Sequence, residues 1–447
     1  MTNTDAALER SRSRLVVRTE PVDELAPLIP RADPRHPLLW MRRGEGIVGL
    51  GETLRIETSG VDRVADAAAV WTELSADADI DDRVGLPGTG LVAFGAFAFA
   101  DESASTSVLI VPELVLGRRD GRAWVTRIAL AERPAETDAD ADDDADLAGA
   151  GTEDDADAAA SGSLEIPEPA PRRRVPRVTF EPGAVPPERY EAAVAEAVRR
   201  IDGGELAKVV LARELVGELH EEDGLRATIH RLAEDYPDTW VFAVDGLIGA
   251  SPETLVRVDH GTVSARVLAG TTSRGAGEAS DRERAVALTE SAKDRAEHAL
   301  AVASAVKRLE PHTARLDASP EPFTLQLPNL WHLATDLKGT LGDGSSALDL
   351  VRAVHPTAAV AGTPRRVALS VLAELEGFDR GRYAGPVGWV DGDGDGEWAI
   401  ALRCAQIDVD GTVRAYAGCG IVHDSVPADE LAETDMKFRP IVEAFGG

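Results

Sequence analysis

Two pairs of carboxylates stand three residues apart in segments whose apolar residues recur at three and four: Asp294 with Glu297, and Glu430 with Glu433. That spacing puts each pair on one face of a helix. If the two faces meet, their oxygens can surround a hard cation, and a few carboxylates completed by water and a bound anion suit magnesium. In a chain with 78 acidic residues the same spacing also arises on solvated faces, so the pairs alone decide nothing. Lys208 heads the apolar stretch KVVLAREL. It is either a snorkelling edge residue or a general base, the second only if burial or a neighbouring cation lowers the affinity of the amine for its proton. Only five of the 47 basic residues are Lys (208, 293, 307, 338 and 437), and Arg cannot serve as a base. Keeping Lys at the head of a buried strand therefore favours proton transfer. Glu253 follows Ser251 and Pro252 into another strand. It caps a turn in water, or, against apolar walls, stays protonated and donates. The runs AGTTSRG (269–275) and AGCG (417–420) bring backbone N–H groups close enough to cradle an anion, although ordinary turns use Gly as well.

Other signatures fail on inspection. GLGETL (49–54) lacks the third Gly of a dinucleotide fingerprint. DGDGDG (391–396) has Asp391, Asp393, Asp395 and Gly396 where a calcium loop needs them, but Leu402 stands at the twelfth position, so a hairpin turn is expected. The nine His residues have no zinc-ligand spacing, and Cys404 and Cys419 read as packing residues.

The elements that must position these groups are of mixed type. Strands are expected over 38–58, 91–100, 107–116 and 122–130, with a helix near 62–76. Further on, helices are expected at 187–202, 222–235, 280–309, 364–376 and 427–444. Strands between them cover 208–215, 239–246, 254–261, 262–270, 397–408 and 412–418. Short turns such as DHGT and DVDGT join neighbouring strands, which predicts antiparallel hairpins and an α+β fold of large sheets flanked by helices. Residues 1–175 are expected to form an N-terminal part and 176–447 the core that carries the candidate catalytic residues. Within the N-terminal part a disordered acidic insertion is expected at about 136–171, since 136–157 holds eleven acids and no base.

The net charge of −31 argues against nucleic-acid partners and anionic membranes, both of which select clustered Lys and Arg. Apolar stretches are too short to span a bilayer and the first residues lack an export signal, so a cytoplasmic location is expected. Acid excess with few Lys suits concentrated salt, where self-repulsion is screened.

In order, KVVLAR, GASPE, LAGT, DRAEH, LWHLAT, HPTAAVAG, GPVGW, LRCAQI, AGCGIV and ELAETDMK resemble the chorismate-utilising enzymes, specifically the isochorismate synthases, over residues 187–446. Before residue 175 the likeness is loose and rests on FGAFAF (94–99). The resemblance implies two layered sheets with the active site between them, a magnesium-dependent reaction on chorismate, and often a monomer. It implies that Glu297 and Glu433 ligate Mg2+, supported by Asp294 and Glu430. Lys208, held neutral, would activate water for attack at C2, and Glu253 would protonate the departing C4 hydroxyl. Gly270, Thr271, Arg403, Gly418 and Lys437 match positions that hold the substrate carboxylates; His332, Thr357 and Ala359 match the wall around the ring. Amine-adding relatives typically lack a Lys at position 208, and aminodeoxychorismate synthases carry one where this chain has Ala269. A salicylate synthase, which goes on to eliminate pyruvate, remains the alternative, against which the small Ala359 leans. From a different class, the chain could be a non-catalytic, salt-adapted metal-binding protein on the same scaffold. Whether the product feeds quinone or siderophore synthesis is not written in these motifs.

Overall fold

The computed structural model describes residues 13–25, 27–132, 164–220, 224–328 and 330–447. Most of the insertion expected at about 136–171, with its acidic run, lies outside the described residues. Among those described, the strands form one sheet of thirteen and one of ten. Eight helices flank them: α1 (Arg63–Asp77), α2 (Pro187–Asp202), α3 (Arg226–Asp235), α4 (Glu278–Glu290), α5 (Ala292–Leu309), α6 (Ala347–Val354), α7 (Arg365–Leu375) and α8 (Pro427–Ala444). The α+β architecture of two layered, mainly antiparallel sheets is thus the one expected; Ser13–Val22 with Asp79–Asp82 is a parallel exception. Residues before 175 contribute to both sheets. Leu38–Arg42 pairs with Trp240–Val244 in the large sheet, and Val92–Ala96 pairs with Pro386–Asp391 in the small one.

Side chains alternate along each strand, and in the large sheet both faces are buried. Leu38 and Trp40 enter a layer shared with Phe94, Val387 and Trp398 of the small sheet. Leu39 and Met41 point the other way, toward Ile229 and Leu232 of α3 and Phe438 and Ile441 of α8. Each large side chain so enclosed contributes about 1.5–3 kcal/mol. Helix starts follow local chemistry: α2 and α8 begin on Pro187 and Pro427, where a missing N–H costs nothing, and α6 begins with a reciprocal Ser346–Asp349 cap.

Four expected stretches are divided, the first being 38–58, which is three strands, Leu38–Arg42, Glu45–Leu50 and Leu54–Thr58. The helix over 280–309 is two helices, because Ser291 turns the chain and its Oγ accepts from the Asp294 N–H at 3.2 Å, restarting the helix as α5. The strand over 107–116 breaks at Pro112, which has no N–H for the ladder. The strand over 397–408 is Gly396–Ile400 in the small sheet and Cys404–Ile407 in the large one. Strands at Ser13–Val22, Thr313–Ala318, Leu330–Leu341 and Pro386–Asp391, and helix α6, were not anticipated. The DGDGDG run is the expected hairpin turn, between Pro386–Asp391 and Gly396–Ile400. Among the described residues no helix is long and apolar enough to cross a membrane.

The break at 401–403 has a counterpart. Leu247–Ser251 lies in the large sheet and Thr254–Asp259 in the small one, so residues 252–253 also pass between sheets. The two crossings run side by side: Ser251 Oγ donates to the Ile400 carbonyl at 2.6 Å, and the Ile400 N–H donates to the Glu253 carbonyl at 3.2 Å. Glu253 and Arg403 are thereby brought to one place.

Candidate active site

Every site residue named from the sequence except Thr357 lines one cleft, with a volume of about 160 Å³. Lys208 enters it from the first position of the strand Lys208–Glu218, paired to Thr412–Ile421 in a register that sets Val210 opposite Gly420. A Cβ on Gly420 would sit 2.7 Å from Lys208 Cε and 3.4 Å from Glu297 Oε1, so a side chain there would push the end of Lys208 aside. Across the cleft, α8 carries Glu430, Glu433 and Lys437 at spacings of three and four, on one helical face. Helix α5 presents Asp294 and Glu297 from its first turns. The strand Thr262–Ser273 bulges between Leu268 and Thr271, where Gly270 takes φ +83° and passes so near α5 that a Cβ would meet Asp294 Cβ at 3.2 Å. Arg403 itself adopts φ +50°, a left-handed conformation that costs about 1–2 kcal/mol for a residue with a Cβ.

Burial and charge then set the protonation states. Glu253 is 5% exposed. Burial pushes its carboxyl up to about 8, although Lys208, Arg403 and Lys437 pull the other way. At pH 7 it is therefore protonated about ten to one. His332 pairs with Thr271 across the strands, its Nδ1 2.9 Å from Thr271 Oγ1, and its buried Nε2 has no partner among the described residues. Burial, with Arg403 and Lys437 nearby, lowers this imidazole to about 3, so it faces the cleft uncharged. Lys437 Nζ lies 2.6 Å from Glu433 Oε1 and donates to the Gly418 carbonyl at 2.9 Å. Burial works against its charge, but the Glu433 carboxylate raises the ammonium above its ordinary value. Glu433 is correspondingly lowered: burial would raise it, and Lys437 prevails. At Glu430 burial and then the charge of Glu433 prevail over Ser425, Lys437 and Lys293 and push the carboxyl up.

The amine expected to stand neutral at position 208 is shielded but not alone, since Lys208 Nζ lies 2.6 Å from Glu297 Oε1. Thr357 is a second correction. It does not reach the cleft but lines a smaller cavity adjoining it, shared with Glu253 and Ala359, because the turn that starts at Thr357 directs it toward α5 and α6. Lys293, Tyr383 and Gly420 line the cleft and were not singled out. For Lys293 a signal existed: three of the chain's five Lys residues meet here. Tyr383, stacked on Tyr416 at 5.1 Å, carries no comparable mark.

Four carboxylates line the cleft, Asp294 and Glu297 from α5 and Glu430 and Glu433 from α8, oxygen donors of the kind magnesium takes; Glu297 is paired to Lys208 and Glu433 to Lys437, so a cation there would displace those amines. The Cys419 sulfur lies within 4.8 Å of the Glu430 and Glu433 ligand atoms, but burial holds it as a thiol and it does not line the cleft.

The chain is similar to known proteins along most of its length. Isochorismate synthase DhbC of Bacillus subtilis is 38% identical over 272 residues, 58% of this chain and 68% of that protein. A salicylate biosynthesis isochorismate synthase of Pseudomonas aeruginosa is 40% identical over 266 residues, 58% of this chain and 56% of its own length. The solved structure of MenF, the menaquinone-specific isochorismate synthase of Escherichia coli, superposes with a TM-score of 0.73 at 25% identity, covering 96% of this chain and 94% of that one. The sequence profile described as chorismate binding enzyme matches residues 3–446, and this chain belongs to that family.

Proposed function

We infer that the protein is an isochorismate synthase that uses Mg2+ and converts chorismate reversibly to isochorismate. The observation that carries this reading is Glu253: a carboxyl protonated at neutral pH, in the same cleft as a buried Lys. Lys208 accepts a proton from a water that attacks C2, the ring double bonds shift, and Glu253 gives its proton to the hydroxyl leaving C4. To act as a base Lys208 must give up Glu297, its partner at 2.6 Å. Arg403 and Lys437 hold the substrate carboxylates, with backbone N–H groups around Gly270 and Gly418; neutral His332 faces the ring without adding charge. Glu297 and Glu433, backed by Asp294 and Glu430, would hold the magnesium ion, which supplies positive charge for a carboxylate approaching a protein of net charge −31.

Incubation with chorismate and magnesium in high salt, followed by product analysis, tests this. Isochorismate as the sole product supports the reading. Salicylate with pyruvate would make the protein a salicylate synthase, and no turnover would leave a metal-binding protein without activity.

A further inference from the structure

The smaller cavity adjoining the cleft has a volume of about 20 Å³, above the roughly 10–15 Å³ that one water requires. Its walls are mostly apolar, from residues such as Ala301, Leu309 and Val354. Of its polar groups, Thr254 Oγ1 already accepts from Trp240 Nε1 at 2.9 Å, and the Arg266 guanidinium is held by Asp336 at 2.6 and 2.9 Å. Two remain uncommitted. Thr357 Oγ1 is buried with no partner, and the Glu253 carboxyl makes no hydrogen bond to protein, both among the described residues.

The reaction leaves two protons out of place. The attacking water gives one to Lys208 and leaves its oxygen on the ring, while Glu253 gives one to the departing hydroxyl, which leaves as water. Lys208 must then lose a proton, and Glu253 must regain one, before the next turnover.

We propose that a water in the smaller cavity bridges the Glu253 carboxyl and the Thr357 hydroxyl and returns the proton to Glu253, which makes Thr357 a positioning residue for the donor. The water passes one proton to the carboxylate and takes one from solvent at the rim beside Arg266, whose side chain is 25% exposed, so no charge stays on it. This rests on Glu253 being the proton donor.

The test compares wild type with Thr357→Val, Thr357→Ser and Glu253→Gln. Thr357→Val lowers kcat by about tenfold with KM unchanged, and Thr357→Ser restores it. Difference infrared spectroscopy, using Glu253→Gln to identify the Glu253 carbonyl band, shows that band shifted in Thr357→Val and returned in Thr357→Ser. The charged groups near that carboxyl, Lys208, Arg403 and Lys437 from the cleft and Arg266 from the smaller cavity, are the same in both Thr357 variants. A Thr357→Val protein with unchanged kcat and band, or one that melts higher than wild type, overturns the relay, since a dry cavity gains from losing an unpaired hydroxyl. Undiminished turnover in Glu253→Gln instead removes the donor assignment, and the relay falls with it.

Discussion

Replacing Glu253 by Gln should remove activity and stabilise the protein at the same time. Glutamine copies the shape of the protonated acid but cannot donate the carboxyl proton. In the native chain burial raises the Glu253 carboxyl from 4.5 to about 8, equivalent to about 5 kcal/mol in favour of the protonated form. The folded state therefore holds a proton that the unfolded chain has already released between those values, and stability falls as pH rises through that window. By pH 7 the loss reaches about 3 kcal/mol; it is absent below about 4.5 and complete above about 8. Urea unfolding of both proteins at pH 5, 7 and 8.5 measures the gap, while product formation from chorismate measures activity. The variant should be inactive and should gain on wild type progressively as the buffer becomes more alkaline. Wild-type turnover itself should decline above about pH 8, as the donor ionises. A stability gap that does not change with pH, or a variant that still forms isochorismate at the native rate, would refute the reasoning.

Lys208→Arg keeps a cation for Glu297 but cannot accept a proton, so kcat should drop by about 10²–10⁴ while circular dichroism and magnesium binding remain intact. Gly420→Ala should be nearly as damaging although it removes no functional group. Its methyl displaces Lys208 from 2.7 Å, and stopped turnover with an unchanged melting temperature is the expected pair of results. Glu297→Gln should weaken Mg2+ binding by tenfold or more in calorimetric titration. Raising salt from about 0.1 to about 1 M shortens the screening length from about 10 to about 3 Å, so the melting temperature should climb with KCl in a chain of net charge −31.

The sequence shows some of this plainly and hides the rest for identifiable reasons. Helices α2, α7 and α8 are legible because proline starts and a 3.6-residue apolar period coincide there. The break at 401–403 is not. Strands buried on both faces read as one apolar run, so Gly396–Ile400 and Cys404–Ile407 look continuous although they belong to different sheets. Spacing places Asp294 beside Glu297 and Glu430 beside Glu433, but only the order of ten short motifs separates them from the other acids. Gly420 carries meaning only through its register beside Lys208, a fact of pairing that no local pattern expresses. Thr357 sits in a motif that suggests contact with the ring, whereas the turn beginning there aims it at the neighbouring cavity.

The paired crossings at 252–253 and 401–403 have a mechanical consequence. Acid and arginine ride on a single hinge pin between the two layers, whereas Lys208 is fastened to one layer only. A small slip of one layer over the other would keep Glu253 and Arg403 in step and change their distance to the amine. Substitutions in the interlayer packing, at Trp398 or Phe94, can therefore detune proton transfer although neither residue lines the cleft.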